Sequence, residues 1–183
     1  MDFIATKFDG AFIVKPIVHS DDRGFFLESY SSRDFIKAGL SINFAQDNHS
    51  MSVEPGVLRG LHFQKPPMTQ SKLVRAIKGA IFDVIVDLRK NSPTFGQWES
   101  FELSDTNFLS LFVPHGFAHG FCTLTARTEV MYKVDNFYSP EHDSGIRWDD
   151  PTLGIPWPNK NPVLSGKDQK LPFFNKSNFC SIF

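Results

Sequence analysis

No stretch of about 10 to 15 residues with the 3.6-residue apolar period of a crossover helix separates the extended runs of this chain, so parallel strands would have nothing to connect them. What the sequence has instead is a series of short alternating segments, from Phe3 to Phe8, Ala11 to Val18, Phe25 to Tyr30, Ile42 to Ser52, Lys72 to Ile77, Ala80 to Leu88, Phe95 to Leu103, Phe108 to Val113, Phe117 to Thr125 and Thr128 to Asn136. Turn residues stand between them, among them Asp9-Gly10, Lys78-Gly79 and Pro114. One short helix is predicted over Ser31 to Ala38, opened by capping serines and closed by Gly39. Beyond Asn136, prolines at 140, 151, 156, 158 and 162 predict loop with one late helical turn. The pattern predicts an all-β sandwich or jelly-roll barrel with a few short peripheral helices.

At 183 residues the chain suffices for one domain with a real core, spanning 1–183. Its 41% hydrophobic and 21% charged content exclude a disordered chain, and a net charge of -1 supplies no field for non-specific nucleic-acid binding. No apolar run approaches the roughly 20 residues of a membrane span, and MDFIATKFDG has no signal-peptide core. Two cysteines, Cys122 and Cys180, make neither a disulfide scaffold nor a paired zinc motif. These features predict a cytoplasmic protein without membrane or nucleic-acid partners. Twenty Phe against three Tyr draw attention to the tyrosines as carriers of a transferable proton.

Chemistry concentrates in Gly56 to Asp87, where Arg59, His62, Lys72 and Arg75 lie between apolar runs. Alternation puts Lys72, Val74 and Ala76 on one strand face and Leu73, Arg75 and Ile77 on the other. With Lys78-Gly79 as the turn, Lys72 to Leu88 reads as a β-hairpin whose lining is either reactive or merely solvated, Arg75 and Lys78 being ordinary surface charge. Of six histidines, His62 and His119 stand beside glycine at strand edges, where the backbone leaves room for a ligand. A metal site is disfavoured because Gln64 occupies the position two beyond His62 and Lys72 brings a cation where an anionic ligand is wanted. Two readings stay open. His62, Tyr132 and Lys72 supply a base, an acid and an oxyanion partner, whereas Arg23, Arg59 and Lys72 could hold an anionic small molecule without catalysis.

The ordered blocks VLRGLHFQ (57–64), KLVR (72–75), FDV (82–84), VDLR (86–89), SPTFG (92–96), VPHGFAHGF (113–121) and GIRWDDP (145–151) closely resemble the dTDP-4-dehydrorhamnose 3,5-epimerase family, from about Phe12 to about Leu171. Pro114-x-Gly116-x-x-His119 is similar to the second motif of the wider cupin superfamily. The resemblance implies a cupin jelly roll and epimerisation of a nucleotide-linked 4-keto-6-deoxy sugar at C3 and C5, through an enolate, with no metal and no organic cofactor. It implies His62 as base with Asp168 as its carboxylate partner, Lys72 at the enolate oxygen and Tyr132 as acid. Arg59 and His119 would line the same pocket. Arg23, Phe26, Glu28, Gln46 and Asn48 resemble the nucleotide-binding set, and Tyr138 the aromatic that stacks near the base. Family members commonly form homodimers that exchange N-terminal strands, so part of this set would serve the neighbouring site. The tail from about residue 172, Ser71 before Lys72 and His115 in the Pro-His-Gly turn depart from the family pattern. Two alternatives remain at this stage, a relative inverting only C3 or C5 of a related nucleotide sugar, and a non-catalytic cupin that binds a sugar nucleotide.

Overall fold

The computed structural model describes residues 1–183. The strands are β1 (Asp2–Ala5), β2 (Phe12–Lys15), β3 (Val18–Asp21), β4 (Gly24–Leu27), β5 (Gln46–Ser52), β6 (Leu58–Gln64), β7 (Lys72–Lys78), β8 (Ala80–Asp87), β9 (Trp98–Ser104), β10 (Ser110–Val113), β11 (Phe117–Thr123), β12 (Thr128–Val134) and β13 (Asp143–Gly145). The two α-helices are α1 (Ser32–Lys37) and α2 (Lys176–Phe179), and a 3-10 turn covers Asp168–Lys170. A six-stranded sheet in the order β1-β2-β10-β7-β12-β5 faces a five-stranded sheet, β13-β6-β11-β8-β9, while β3 and β4 form a separate two-stranded ribbon. All pairings between these strands are antiparallel. The architecture is the all-β, cupin-like jelly roll that the alternation and the resemblance predict.

Alternation decides where each apolar set goes. On β8, Ile81 and Ile85 turn inward to meet Val74, Ala76, Leu111, Phe121 and Val130 between the sheets. Val84 and Val86 turn outward, where the chain after β13 covers them with Ile146, Leu153, Trp157 and Phe174. On the outer face of the larger sheet, Leu73 and Phe112 are covered by Phe35 of α1. Three apolar layers therefore enclose two sheets, and the polar inward positions Lys72 and Asp83 stand among apolar neighbours.

The Lys72 to Leu88 segment is not a hairpin. β7 pairs with β10 and β12 in the larger sheet, whereas β8 pairs with β11 and β9 in the smaller one. Gly79, at φ +73°, is a corner at which the chain changes sheets. A local turn signal reports reversal and cannot report which sheet receives the next strand. Arg75 likewise departs from a plain surface charge, since its Nε is buried without a hydrogen-bond partner. Lys78 is exposed, with an ion pair to Glu129 at 3.9 Å. The three-residue β13 lies in the proline-rich region read as loop.

Candidate active site

Arg59 and His62 are three apart on β6, so strict alternation would send them to opposite faces. The β6–β11 ladder instead pairs His62 with His119 and Arg59 with Phe121, setting one intervening residue of β11 against two of β6. This bulge returns both side chains to the space between the sheets. It requires glycine: Gly60 has φ +127°, and a Cβ there would sit 2.6 Å from the Gly120 Cα and 2.9 Å from the His119 carbonyl oxygen.

The result is a cavity of about 410 Å³ lined by Ser50, Val57, Leu58, Arg59, His62, Lys72, His119, Phe121, Tyr132, Val163, Leu164, Ser165, Lys167 and Asp168. A second hollow of about 310 Å³ adjoins it, lined by Gln46, Asn48, Phe63, Gln64, Gln70, Tyr138 and Asp143, and shares His62, Lys72, Tyr132 and Lys167 with the first. His62, His119 and Arg59 come from the smaller sheet, while Lys72, Tyr132 and Asn48 come from the larger one. A planar group between the walls would have an imidazole on one side and a phenol on the other.

His62 and Asp168 are 106 residues apart in sequence, yet His62 Nε2 lies 2.5 Å from Asp168 Oδ1. Asp168 is 3% exposed, and its own amide donates to Ser165 Oγ at 3.0 Å. Burial alone would raise its pKa; the hydrogen bonds and charge of His62, with Ser165 and Lys167, overcome this and hold the carboxyl below its ordinary range. With Nε2 donating to a carboxylate, Nδ1 keeps the lone pair that can take a proton.

A second dyad lies deeper. His119 Nε2 approaches both carboxylate oxygens of Asp83, at 3.0 and 2.9 Å. Burial pushes Asp83 up, against the pull of His119 and Lys72. Asp87, on the same strand, accepts from Arg89, Ser92 and Thr94. Burial brings the Lys72 ammonium down to about 8, with Asp83 and Asp143 opposing the change, and its Nζ donates to the His62 carbonyl at 3.5 Å. Tyr132 is pushed up by burial, Arg59 pulling it the other way, so its phenol stays protonated at neutral pH.

His62, Lys72, Tyr132, Asp168, Arg59 and His119 are thus gathered around one cavity, and Gln46, Asn48 and Tyr138 around its extension. Arg23, Phe26 and Glu28 line neither hollow of this chain. The β3–β4 ribbon carries Arg23 and Phe26 outward, with Arg23 bound to its neighbour Asp21 at 2.6 Å and Phe26 67% exposed. The ribbon pairs with neither main sheet, and no local pattern reveals that. Sequence reasoning also missed Asp143 and Lys167, which form an ion pair at the junction of the two hollows, with Tyr138 donating to Asp143 at 2.8 Å. Lys167 had a signal, its adjacency to Asp168; Asp143 had none, since a three-residue strand shows no periodicity.

The family model described as dTDP-4-dehydrorhamnose 3,5-epimerase matches residues 5–176. The chain is 52% identical over 170 residues to the dTDP-4-dehydrorhamnose 3,5-epimerase of Methanothermobacter thermautotrophicus, covering 91% of each chain. It is similar to the crystal structure of the enzyme of that name from Bacillus anthracis with TDP and PPi bound (TM-score 0.93, 54% identity, 94% of this chain and 99% of that one). It is also similar to a Legionella pneumophila dTDP-6-deoxy-D-glucose-3,5-epimerase in complex with dTDP-4-keto-L-rhamnose (TM-score 0.90, 42% identity, 94% of this chain and 92% of that one).

Proposed function

Since the chain belongs to the dTDP-4-dehydrorhamnose 3,5-epimerase family, we propose that it converts dTDP-4-dehydro-6-deoxy-D-glucose to dTDP-4-dehydro-L-rhamnose by inverting C5 and C3 in turn. The C4 carbonyl acidifies the hydrogen on each flanking carbon. His62 takes that proton on Nδ1, the C–H electron pair moves through the new C=C bond to O4, and Asp168 balances the imidazolium. Lys72, with a pKa of about 8, is charged at neutral pH and close enough in proton affinity to stabilise the enolate oxygen. Tyr132 returns a proton from the opposite wall as the C=O reforms, which inverts the centre. Solvent then reprotonates the phenolate and deprotonates His62, restoring both groups. The observation that carries this reading is the placement of imidazole and phenol on facing sheets around one cavity.

Arg59 and Lys167 supply positive charge for the diphosphate, and Gln46, Asn48 and Tyr138 hold the thymidine in the adjoining hollow. The chain acts as one domain and as a homodimer that exchanges N-terminal strands, so that Arg23, Phe26 and Glu28 serve the neighbouring site. The projecting β3–β4 ribbon, its exposed Phe25 and Phe26, and the open edge of β5 support that assembly. No helix is long and apolar enough to cross a membrane, and two free cysteines suit the reducing cytoplasm where we place it.

The test is reaction with the 4-keto sugar nucleotide in deuterated water, followed by NMR of the product. Deuterium at C3 and C5 with the L-rhamno configuration is expected. No incorporation refutes the epimerase, and incorporation and inversion at one carbon alone would identify a mono-epimerase.

A further inference from the structure

The family match stops at residue 176, leaving Ser177–Phe183 outside it, yet this segment is packed into the molecule. Phe179 is 5% exposed, and Phe183 and Ile182 join it against the outer face of the smaller sheet. The ring they meet is Phe63, whose centroid lies 6.1 Å from that of Phe179 and 5.6 Å from that of Phe183, both edge-on. Phe63 directly follows His62 on β6. The tail therefore backs the strand residue next to the base, from the side of the sheet away from the main cavity. The Phe183 carbonyl fixes the end of the tail by accepting from the Lys90 amide at 3.3 Å.

The same tail is continuous with the turn that carries Asp168. Between them the Pro172 carbonyl accepts from the Arg147 amide at 2.8 Å, and the Phe174 amide donates to Asp150 at 2.6 Å. Phe174 then packs against Phe179, their ring centroids 5.3 Å apart and the planes tilted by 42°. One continuous segment thus holds the carboxylate of the dyad at one end and the neighbour of its imidazole at the other. A 2.5 Å contact between groups 106 residues apart depends on both ends being fixed.

We propose that Ser177–Phe183 is a positioning element of the reaction, with Phe179 and Phe183 holding His62 and Asp168 in register through Phe63 and the 172–174 link. These phenylalanines face away from substrate, so they act only through the dyad. The proposal rests on His62 being the base. It predicts a loss in the proton-transfer step rather than in binding of the thymidine end, because Gln46, Asn48 and Tyr138 lie on elements the tail rings do not touch. A misplacement of about 1 Å at a proton-transfer pair costs up to about a hundred-fold.

The experiment compares the full-length protein with Phe179→Ala/Phe183→Ala. We expect kcat to fall about ten- to a hundred-fold with KM for the 4-keto sugar nucleotide within about two-fold, and Phe183→Leu, which refills the space, to recover most of the rate. Unchanged kcat, or a drop in melting temperature with kcat intact, would overturn the proposal, the latter showing a merely structural tail. Should the double variant fail to fold, Phe183→Ala alone carries the same expectations and the same refutation. A second readout needs no turnover: in nitrogen-15-labelled protein without substrate, the His62 imidazole resonances should shift in the variant. Unmoved resonances would overturn the positioning role, whereas a wild-type protein that exchanges no deuterium would instead refute the epimerase reading.

Discussion

Asp168→Asn isolates one physical quantity, the compensation of the His62 imidazolium. In the resting site the Asp168 carboxylate accepts from His62 Nε2 at 2.5 Å and is 3% exposed, so water screens the pair little. When His62 takes the substrate's proton it becomes a full cation. At a charge separation of about 4 Å and an effective dielectric of about 20, the carboxylate stabilises that cation by about 4 kcal/mol. A charge-assisted hydrogen bond is worth about 1.5–3 kcal/mol net. The asparagine amide loses the charge and offers a weaker acceptor of similar shape, so about 2–4 kcal/mol of transition-state stabilisation disappears, which is about 30- to 1,000-fold in kcat. KM should hold, because the isosteric side chain leaves the cavity's outline intact. The assay is initial-rate deuterium uptake at C5 and C3 by proton NMR, with a thermal melt as a control for folding. A variant within about three-fold of wild-type kcat would show that the dyad does not stabilise the transition state, and the role given to Asp168 would fall. The same substitution tests linkage. A carboxyl held below its ordinary value of 3.8 contributes stability that is full above that pH and lost as pH falls through the lower folded value. The acid-side slope of stability should therefore flatten in Asp168→Asn.

Other outcomes follow from the same geometry. Tyr132→Phe removes the acid from the wall opposite His62, so product formation should collapse while His62 still exchanges substrate hydrogen with solvent; full inversion at wild-type rate would exclude Tyr132 as the donor. Activity should fall as pH rises past about 8, where Lys72 loses its charge. The stability contribution of Lys72 runs the other way, because its folded pKa lies below the ordinary 10.5 and the unfolded chain binds more protons between the two values. Urea midpoints should show that rise lost in Lys72→Met, and a kcat profile flat to pH 10 would refute the enolate role. Gly60→Ala places a Cβ 2.6 Å from the Gly120 Cα at φ +127°, and we expect a loss of at least about 2 kcal/mol in urea unfolding. A wild-type midpoint would mean that the bulge is not required.

What could be read from the sequence alone was whatever rests on near neighbours. Alternation correctly put Lys72, Val74 and Ala76 on one face, because side chains on a pleated strand must alternate whatever the strand packs against. Ser31 and Gly39 bounded α1 through backbone preferences that act within one turn. The ordered motifs carried the resemblance, and with it the expectation of an imidazole, a phenol and an ammonium in one pocket. Only the tertiary structure decided which strands share a sheet. Gly79 turns β7 into one sheet and β8 into the other, and that choice depends on partners as distant as β10 and β11. It decided that Arg59 and His62 look the same way, since the bulge exists only where two glycine backbones meet across the ladder. It also decided that the β3–β4 ribbon leaves its own site and that Asp168 closes on His62. The physical reason is common to all four. Periodicity and turn preference are fixed by sterics over a few residues, whereas sheet membership, register and the meeting of remote side chains come from burying apolar surface and pairing backbone groups over the whole chain.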